Sequence, residues 1–480
     1  MTGGRTTVAD VIVDGLRRAG TPRLFGLVRG RADHPILEAA RAMGLPVALA
    51  AGEAGAWVMA GVTGDLVDAP GAAIIDEPSA SASRAHDRAP IVLVTSGHAS
   101  AMPGCKETLR VETESAAHRI AHAARLAMSE PRGPVHLDIP ADVARRAAIP
   151  LATSCRPDPL PYPDGEALDR AARALSGASR PLLLAGLHAR SSDATPWLRA
   201  FVEALPAPLL TTARAKGALP DPHPLMLGVL GVGGVEEPLV KRADLVVAIG
   251  LDTLEADALP AACWSSAPVL VFGPAAMPDG RVPAVHVVGD VSAIIEELAI
   301  RLRDKPRADW DVADVDRLRR EGAARGAGDG LAARVVRLAR EATPAGTIAA
   351  VDAGAYRGCV VTAWHAINPR EFLASSALAT GFALPAALAA HLVHPDRRVV
   401  CFTDPNELGA VGTELETAAR LAARIMIIMY ESEGMDASSS MRLAEGVGMS
   451  VSVVDSEAAF SQAFGRAFTT SRGSLTVVRS

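Results

Sequence analysis

Short apolar runs, each bounded by turn residues, recur along the whole chain and alternate with stretches of helical spacing. Residues 23–26, 46–50, 71–75, 91–95 and 135–139 read as strands buried on both faces, the pattern of a parallel sheet. Residues 8–19, 35–43, 53–66 and 112–128 carry helical periodicity between them, and glycines in 53–66 permit close packing. A proline-rich stretch, 154–167, breaks the pattern as a linker. Strand signals resume at 180–187, 207–211, 243–250, 269–272 and 284–288, with a helix at 196–205. Residues 303–328 are charged and glycine-bearing and read as a second connector. Beyond 330, strands are expected at 346–352, 398–402, 425–430, 451–454 and 475–478, with an alanine-rich helix at 381–393. Strands alternating with helices give an α/β protein. The expectation is three doubly wound parallel-sheet domains, at 1–155, 166–302 and 330–480.

Composition narrows the function classes. A length of 480 residues agrees with three domains at roughly 150 residues each. The formal net charge is −6, which lacks the basic footprint of a nucleic-acid binder. Five cysteines, none in a CxxC, fit a reducing compartment, and the first twenty residues lack a signal-peptide core, so a cytoplasmic protein is expected. Apolar runs such as 425–429 are too short to cross a bilayer. Aromatic residues make up only 4%, so the cores must be mostly aliphatic.

Candidate chemistry concentrates at 397–434, a strand, an acidic turn, a helix, a second strand and a second acidic turn. Asp404 follows a buried strand, with Thr403 between, at the edge where open α/β sheets bind ligands. A carboxylate there suits Mg²⁺, which takes oxygen ligands and substrate phosphates. The second strand runs into Glu431, Ser432, Glu433 and Gly434, and a hydroxyl or carboxylate at that end could complete the shell. Thr403-Asp404-Pro405-Asn406 is also a good turn or helix-cap sequence in its own right. Pro405 has no N–H to offer a phosphate. Glu407, Glu431 and Glu433 repel a diphosphate unless a cation intervenes. Small residues from Ser375 to Thr380, ahead of Gly381 and a helix, form a second candidate, because they let an anion approach backbone N–H groups; a tight loop-to-helix packing contact reads equally well.

Taken together, the segments 132–143 (RGPVHLDIPADV), 201–231, 243–250 (ADLVVAIG) and 381–400 (GFALPAALAAHLVHPDRRVV) resemble the thiamine-diphosphate-dependent enzymes of the acetolactate synthase and benzoylformate decarboxylase type. The resemblance covers nearly the whole length. It implies a pyrimidine-binding, a central and a diphosphate-binding domain, in a homodimer or homotetramer with the site between the first domain of one subunit and the third of another. It implies thiamine diphosphate and Mg²⁺ as cofactors. Glu53, in AAGEAGAWVMAG, stands where the family has the glutamate that holds the aminopyrimidine and promotes ylide formation. Asp404 stands at the metal-ligand aspartate, and Ser432 at, or one step from, the ligand asparagine. Thr380 and Thr403 are placed to contact phosphate.

The chain departs from the family pattern at several of these places. The motif opens Thr403-Asp404-Pro405 instead of Gly-Asp-Gly and closes Glu431-Ser432 instead of Asn-Asn. Ala377, Ala379 and Ala383 replace frequent glycines, and each methyl occupies space a ligand needs. The 74–90 stretch is shorter than in relatives and offers Asp76, Glu77, His86 and Asp87. Two readings follow. One is a divergent decarboxylase or carboligase acting on a 2-keto acid or related carbonyl compound. The other is a cofactor-free homologue, either a noncatalytic subunit or an enzyme with different chemistry in the same cleft. A flavin in the central domain is not expected, because the segment after 243–250 lacks the arginine of flavin-binding relatives.

Overall fold

The computed structural model describes residues 6–28, 34–76, 87–97, 100–257, 261–264, 267–274, 282–302, 308–376, 378–470 and 472–479. Three six-stranded sheets carry the architecture. The first holds β1 (Leu24–Leu27), β2 (Val47–Ala50), β3 (Gly71–Ile74), β4 (Ile91–Thr95), β5 (Thr108–Arg110) and β6 (Val135–Asp138), in the order β2-β1-β3-β4-β6-β5. The second holds β7 (Pro181–Ala185), β8 (Leu209–Thr211), β9 (Met226–Val229), β10 (Leu245–Ile249), β11 (Val269–Phe272) and β12 (Val285–Val287), in the order β12-β11-β10-β7-β8-β9. The third holds β13 (Ile348–Val351), β14 (Phe372–Ala374), β15 (Val399–Thr403), β16 (Ile425–Glu431), β17 (Ser450–Val454) and β18 (Ser474–Arg479), in the order β14-β13-β15-β16-β18-β17.

The paired strands run parallel throughout, as the α/β reading expects. Counted from its own first strand, the third sheet repeats the order of the first, whereas the central sheet has a different one. In the third sheet the chain turns outward from β13 to β14 and then returns to the other side of β13 as β15. The carboxyl ends of β13 and β15 therefore flank a topological switch point, the usual place for a ligand crevice.

The structure corrects the sequence reading in several places. The connector at 303–328 contains a helix, Val312–Ala327, capped by Asp311 and laced by Arg317–Glu321 and Arg320–Asp316 pairs. Its Val315, Leu318 and Gly322 are buried, so the charged residues are the solvent side of a packed helix. The helix expected from 112 begins only at Ala116. β5, β9 and β14 were not expected from the sequence.

The helices Glu53–Val67 and Ala383–Val393 are apolar nearly all round, and each is buried along almost its whole length. Such helices need cover on every side. They pack on each other, and one hydrophobic core joins Trp57 and Met59 of the first domain to Leu384, Leu388 and Met429 of the third. The central sheet has a separate core. Among the described residues no helix is long and apolar enough to cross a membrane.

Ion pairs weld the three domains together. Asp65, on the Glu53–Val67 helix, accepts from Arg190 Nη2 with both carboxylate oxygens, at 2.5 and 2.7 Å, with Arg214 at 3.9 Å. Burial raises the Asp65 carboxyl, but Arg190, Arg214 and Arg370 outweigh it and hold the group well below the usual range. Asp252, after β10, is fully buried and bridges Arg88 of the first domain and His188. Burial raises it too, yet His188, the Leu254 N–H and Arg88 bring it down to about 2. A carboxyl lowered in the folded state adds stability above its unfolded value near 3.9 and loses it as pH falls through the folded value. Urea midpoints measured from pH 6 downward are expected to hold to about pH 4 and then fall steeply toward pH 2. An Asp252→Asn variant, already weakened at pH 6, should show a shallower fall.

Candidate functional site

The crevice at the switch point is built from four segments of the third domain. β13 ends at Val351 and presents Asp352, and β15 ends at Thr403 and presents Asp404. The loop before the Ala383–Val393 helix presents Gly381, whose φ of +71° turns its N–H toward Glu407. Glu407 itself lies on the short helix Pro405–Ala410.

Each carboxylate here is engaged by the chain itself. Asp404 caps its own helix, its Oδ1 accepting the Asn406 and Glu407 N–H groups at 2.9 and 3.0 Å. Pro405 occupies the first turn, where a missing N–H costs nothing. The Thr403 hydroxyl donates to Asp352 Oδ2 at 2.7 Å, and Asp352 Oδ1 accepts the Ala383 N–H at 2.7 Å. Glu407 Oε2 accepts the Gly381 N–H at 2.7 Å. Two of the backbone donors at the entry of the Ala383–Val393 helix, those of Gly381 and Ala383, are thus held by carboxylates.

The electrostatics follow from this crowding. Burial, helped by the charges of Glu407 and Asp404, pushes the Asp352 carboxyl up to about 7, against the pull of its two hydrogen bonds. Burial also raises Glu407, with Asp404 adding to it and the Gly381 N–H opposing. Arg357 borders the same crevice. Its Nη2 donates to the Ser375 carbonyl at 2.9 Å, while its Nη1 is buried without a hydrogen-bond partner.

The residues singled out in the sequence are distributed as follows. Thr403 and Asp404 sit together in the crevice, both buried. Thr380 is exposed in the turn before Gly381. β15 and β16 are neighbours, as the expected shared site requires, but Thr403 pairs with Met429. Ser432 therefore lies three residues past the level of Thr403, roughly 10 Å along the strand direction at about 3.3 Å per residue. Its carbonyl accepts the Met435 N–H in a turn. Glu431 faces away to its own partners, the Ala437 N–H at 2.8 Å and Arg479. Ala377, Glu77 and His86 lie outside the described residues. Asp76 is exposed, and Asp87 is buried with its Oδ1 accepting the Ser376 N–H at 2.9 Å. Among the described residues no three His, Cys, Asp or Glu side chains are grouped to hold a metal ion.

Glu53 opens its helix directly after Gly52 and is half-buried. Its surroundings are set by Glu414 of the third domain, a residue the sequence reading missed. Glu414 Oε1 accepts the Gly52 N–H at 2.8 Å, and its Oε2 accepts the Ala51 N–H at 3.3 Å. Gly55 admits this carboxylate, because a Cβ at 55 would overlap it. Asp352 was missed as a site residue too, and Glu407 was read only as a carboxylate that repels a diphosphate. A signal existed for Glu407, since Asp404-x-x-Glu407 is a capping-box spacing; its true acceptor role is to Gly381, 26 positions away. In the central domain the donors beside the β7–β10 switch are filled in the same manner. Glu255 accepts the Leu187 and Asp252 N–H groups at 2.8 and 3.2 Å and the Thr212 hydroxyl.

The arrangement has clear relatives. Residues 168–298 match the model of the thiamine pyrophosphate enzyme central domain, and residues 352–438 that of the C-terminal TPP binding domain. The chain is 27% identical over 461 residues to the acetolactate synthase isozyme 2 large subunit of Escherichia coli K12, covering 88% of this chain and 83% of that protein. It is 29% identical over 324 residues to the isozyme 1 large subunit of the same organism, covering 65% of this chain but only 57% of that protein. A probable 2-ketoarginine decarboxylase of Pseudomonas aeruginosa is 30% identical over 340 residues, 68% of this chain and 60% of its own length. The solved structure of a putative thiamin diphosphate-dependent enzyme from Mycobacterium smegmatis superposes with a TM-score of 0.84 at 21% identity, covering 98% of this chain and 99% of that one, which establishes the shared fold.

As arranged, the crevice does not fit a diphosphate. Its Gly381 and Ala383 N–H groups are taken, Pro405 offers none, and the cavity beside Asp352, Arg357 and Asp404 holds only about 10 Å³, against the roughly 300–1,000 Å³ usual for ligand pockets. An added anion would also face Glu407 and Asp404, at roughly 4 kcal/mol for each pair of unit charges about 4 Å apart at an effective dielectric of about 20.

Proposed function

The chain belongs to the thiamine-diphosphate-dependent enzyme superfamily, and on that premise we propose that it is a cofactor-free homologue of the acetolactate synthase type, its diphosphate position filled by its own carboxylates. It then serves as a noncatalytic subunit or hosts a different reaction in the cleft. The observation that carries this reading is the 2.7 Å contact of Glu407 Oε2 with the Gly381 N–H, the donor that a diphosphate at the helix entry would need. Fold alone does not argue against it, since function resides in the site and not in the architecture.

A second reading is favoured by Glu53 at the first position of its helix and Asp404 at the strand end. In it the chain is a divergent decarboxylase or carboligase acting on a 2-keto acid or related carbonyl compound, with thiamine diphosphate and Mg²⁺. Glu53 would hold the aminopyrimidine, Asp404 and Ser432 the metal, and Thr403 and Thr380 the phosphates, in a cytoplasmic homodimer or homotetramer with the site between subunits.

Calorimetric titration of the purified protein with thiamine diphosphate and Mg²⁺ separates the two. No saturable heat is expected up to millimolar cofactor. Micromolar binding that disappears in Asp404→Ala would instead establish the second reading.

A further inference from the structure

We propose that a separate cavity, between the central domain, the helix Val312–Ala327 and the third domain, binds a short aliphatic carboxylate, whichever reading of the crevice holds. The cavity has a volume of about 220 Å³, against about 10 Å³ beside Asp404. That is close to the lower end, roughly 300 Å³, of ligand pockets, which favour domain junctions and combine apolar walls with a few placed polar groups. Here the walls are Leu227 and Val229 of β9, Val232 and Val235 after it, and Val361 of the third-domain helix Arg357–Ala363. β9 is the edge strand of the central sheet, and its register against β8 shifts between Leu209 and Leu210. The irregularity falls at Gly228, which lines the cavity with a φ of +144° and nothing within 4 Å of a Cβ built on it. The backbone is therefore open to close approach there, as at many bulges beside binding sites.

Lys216 sets the polar end. Its side chain is 3% exposed, and among the described residues its ammonium meets one acceptor, Asp221 Oδ2 at 2.6 Å, and the Phe372 ring at 5.7 Å. An ammonium carries three donors, so a buried one with a single acceptor is left under-satisfied. The same Asp221 oxygen also accepts the Ala366 N–H at 2.7 Å. Arg319 and Arg320 line the cavity as well, their Asp316 partner lying within one turn on their own helix. The charged lining is thus three cations against one carboxylate that is already engaged twice. A ligand carboxylate would meet the remaining Lys216 donors, while an aliphatic tail covered the valines.

The probe is hexanoate, titrated by calorimetry into the full chain, with acetate and 1-hexanol as controls for head and tail. Hexanoate is expected to saturate with a Kd below about 1 mM. Acetate, lacking most of the tail, and hexanol, lacking the charge, should each bind at least about tenfold more weakly. The double variant Lys216→Met with Asp221→Asn removes the buried ion pair without stranding either charge, and should weaken hexanoate at least about tenfold. Thermal melting confirms its folding, and the half-buried Val232→Asp, which puts a like charge in the cavity wall, should do the same should the double variant unfold. Hydrogen exchange should place the added protection at residues 226–232 and 358–363. The inference falls if hexanoate gives no saturable heat at about 10 mM, if either control binds as well, if the folded variants bind like the wild type, or if protection arises only elsewhere. Titration with thiamine diphosphate tests the crevice alone, so its outcome and this one are separable.

Discussion

Gly71→Ala is expected to destabilise the protein by about 3 kcal/mol, the upper end of what overpacking a well-filled interior costs. Gly71 opens β3, and a Cβ built there would overlap the backbone carbonyl of Ala60 in the middle of the Glu53–Val67 helix. Backbone gives way less readily than a side-chain tip, so the helix must lift from the sheet. It carries Asp65 into the three-domain ion cluster and packs against the Ala383–Val393 helix, so a shift spreads to both. Urea unfolding should show the loss as a lower midpoint. Gly177→Ala, at an exposed helix end with nothing near its missing Cβ, should leave the midpoint within about 0.5 kcal/mol of wild type. Equal midpoints for the two variants would refute the close-approach argument.

Glu414→Ala should cost a similar amount, about 3 kcal/mol, by a different route. The Glu414 side chain is 1% exposed and is the acceptor for the Gly52 N–H, while Ala51 retains Thr417 Oγ1 at 3.0 Å. Truncation leaves a buried donor unsatisfied, worth roughly 1–3 kcal/mol, and a cavity beside it. Burial raises the Glu414 carboxyl, so the charge itself is poorly placed and the hydrogen bonds are what stabilise it. Glu414→Gln, which keeps an acceptor, should therefore lose only about 1 kcal/mol. Hydrogen exchange gives the local readout. Amides 51–54 should lose protection in the alanine variant before the core of the central sheet does.

Much of the fold was legible because buried parallel strands are continuous apolar runs. Residues such as Leu245–Ile249 have no other plausible role. The strands not recognised, β5, β9 and β14, each lie at the edge of a sheet. Two are only three residues long, and β9 carries a glycine and a register irregularity against β8, so none has a long apolar run to betray it. The charged helix Val312–Ala327 was hidden because only a narrow face is buried.

The sequence by itself determined the three parallel domains, the likeness to the thiamine-diphosphate enzymes, and the position of Asp404 past a buried strand. These depend on local periodicity and short motifs. Only the tertiary structure decided which groups meet in the crevice. Asp352, Gly381, Asp404 and Glu407 come from segments up to 55 positions apart, 352 to 407, and the contacts of Glu407 with Gly381 and of Glu414 with Gly52 span 26 and 362 positions. A carboxylate's role depends on which donor the folded chain brings within hydrogen-bond reach, and no spacing along the chain encodes that distance.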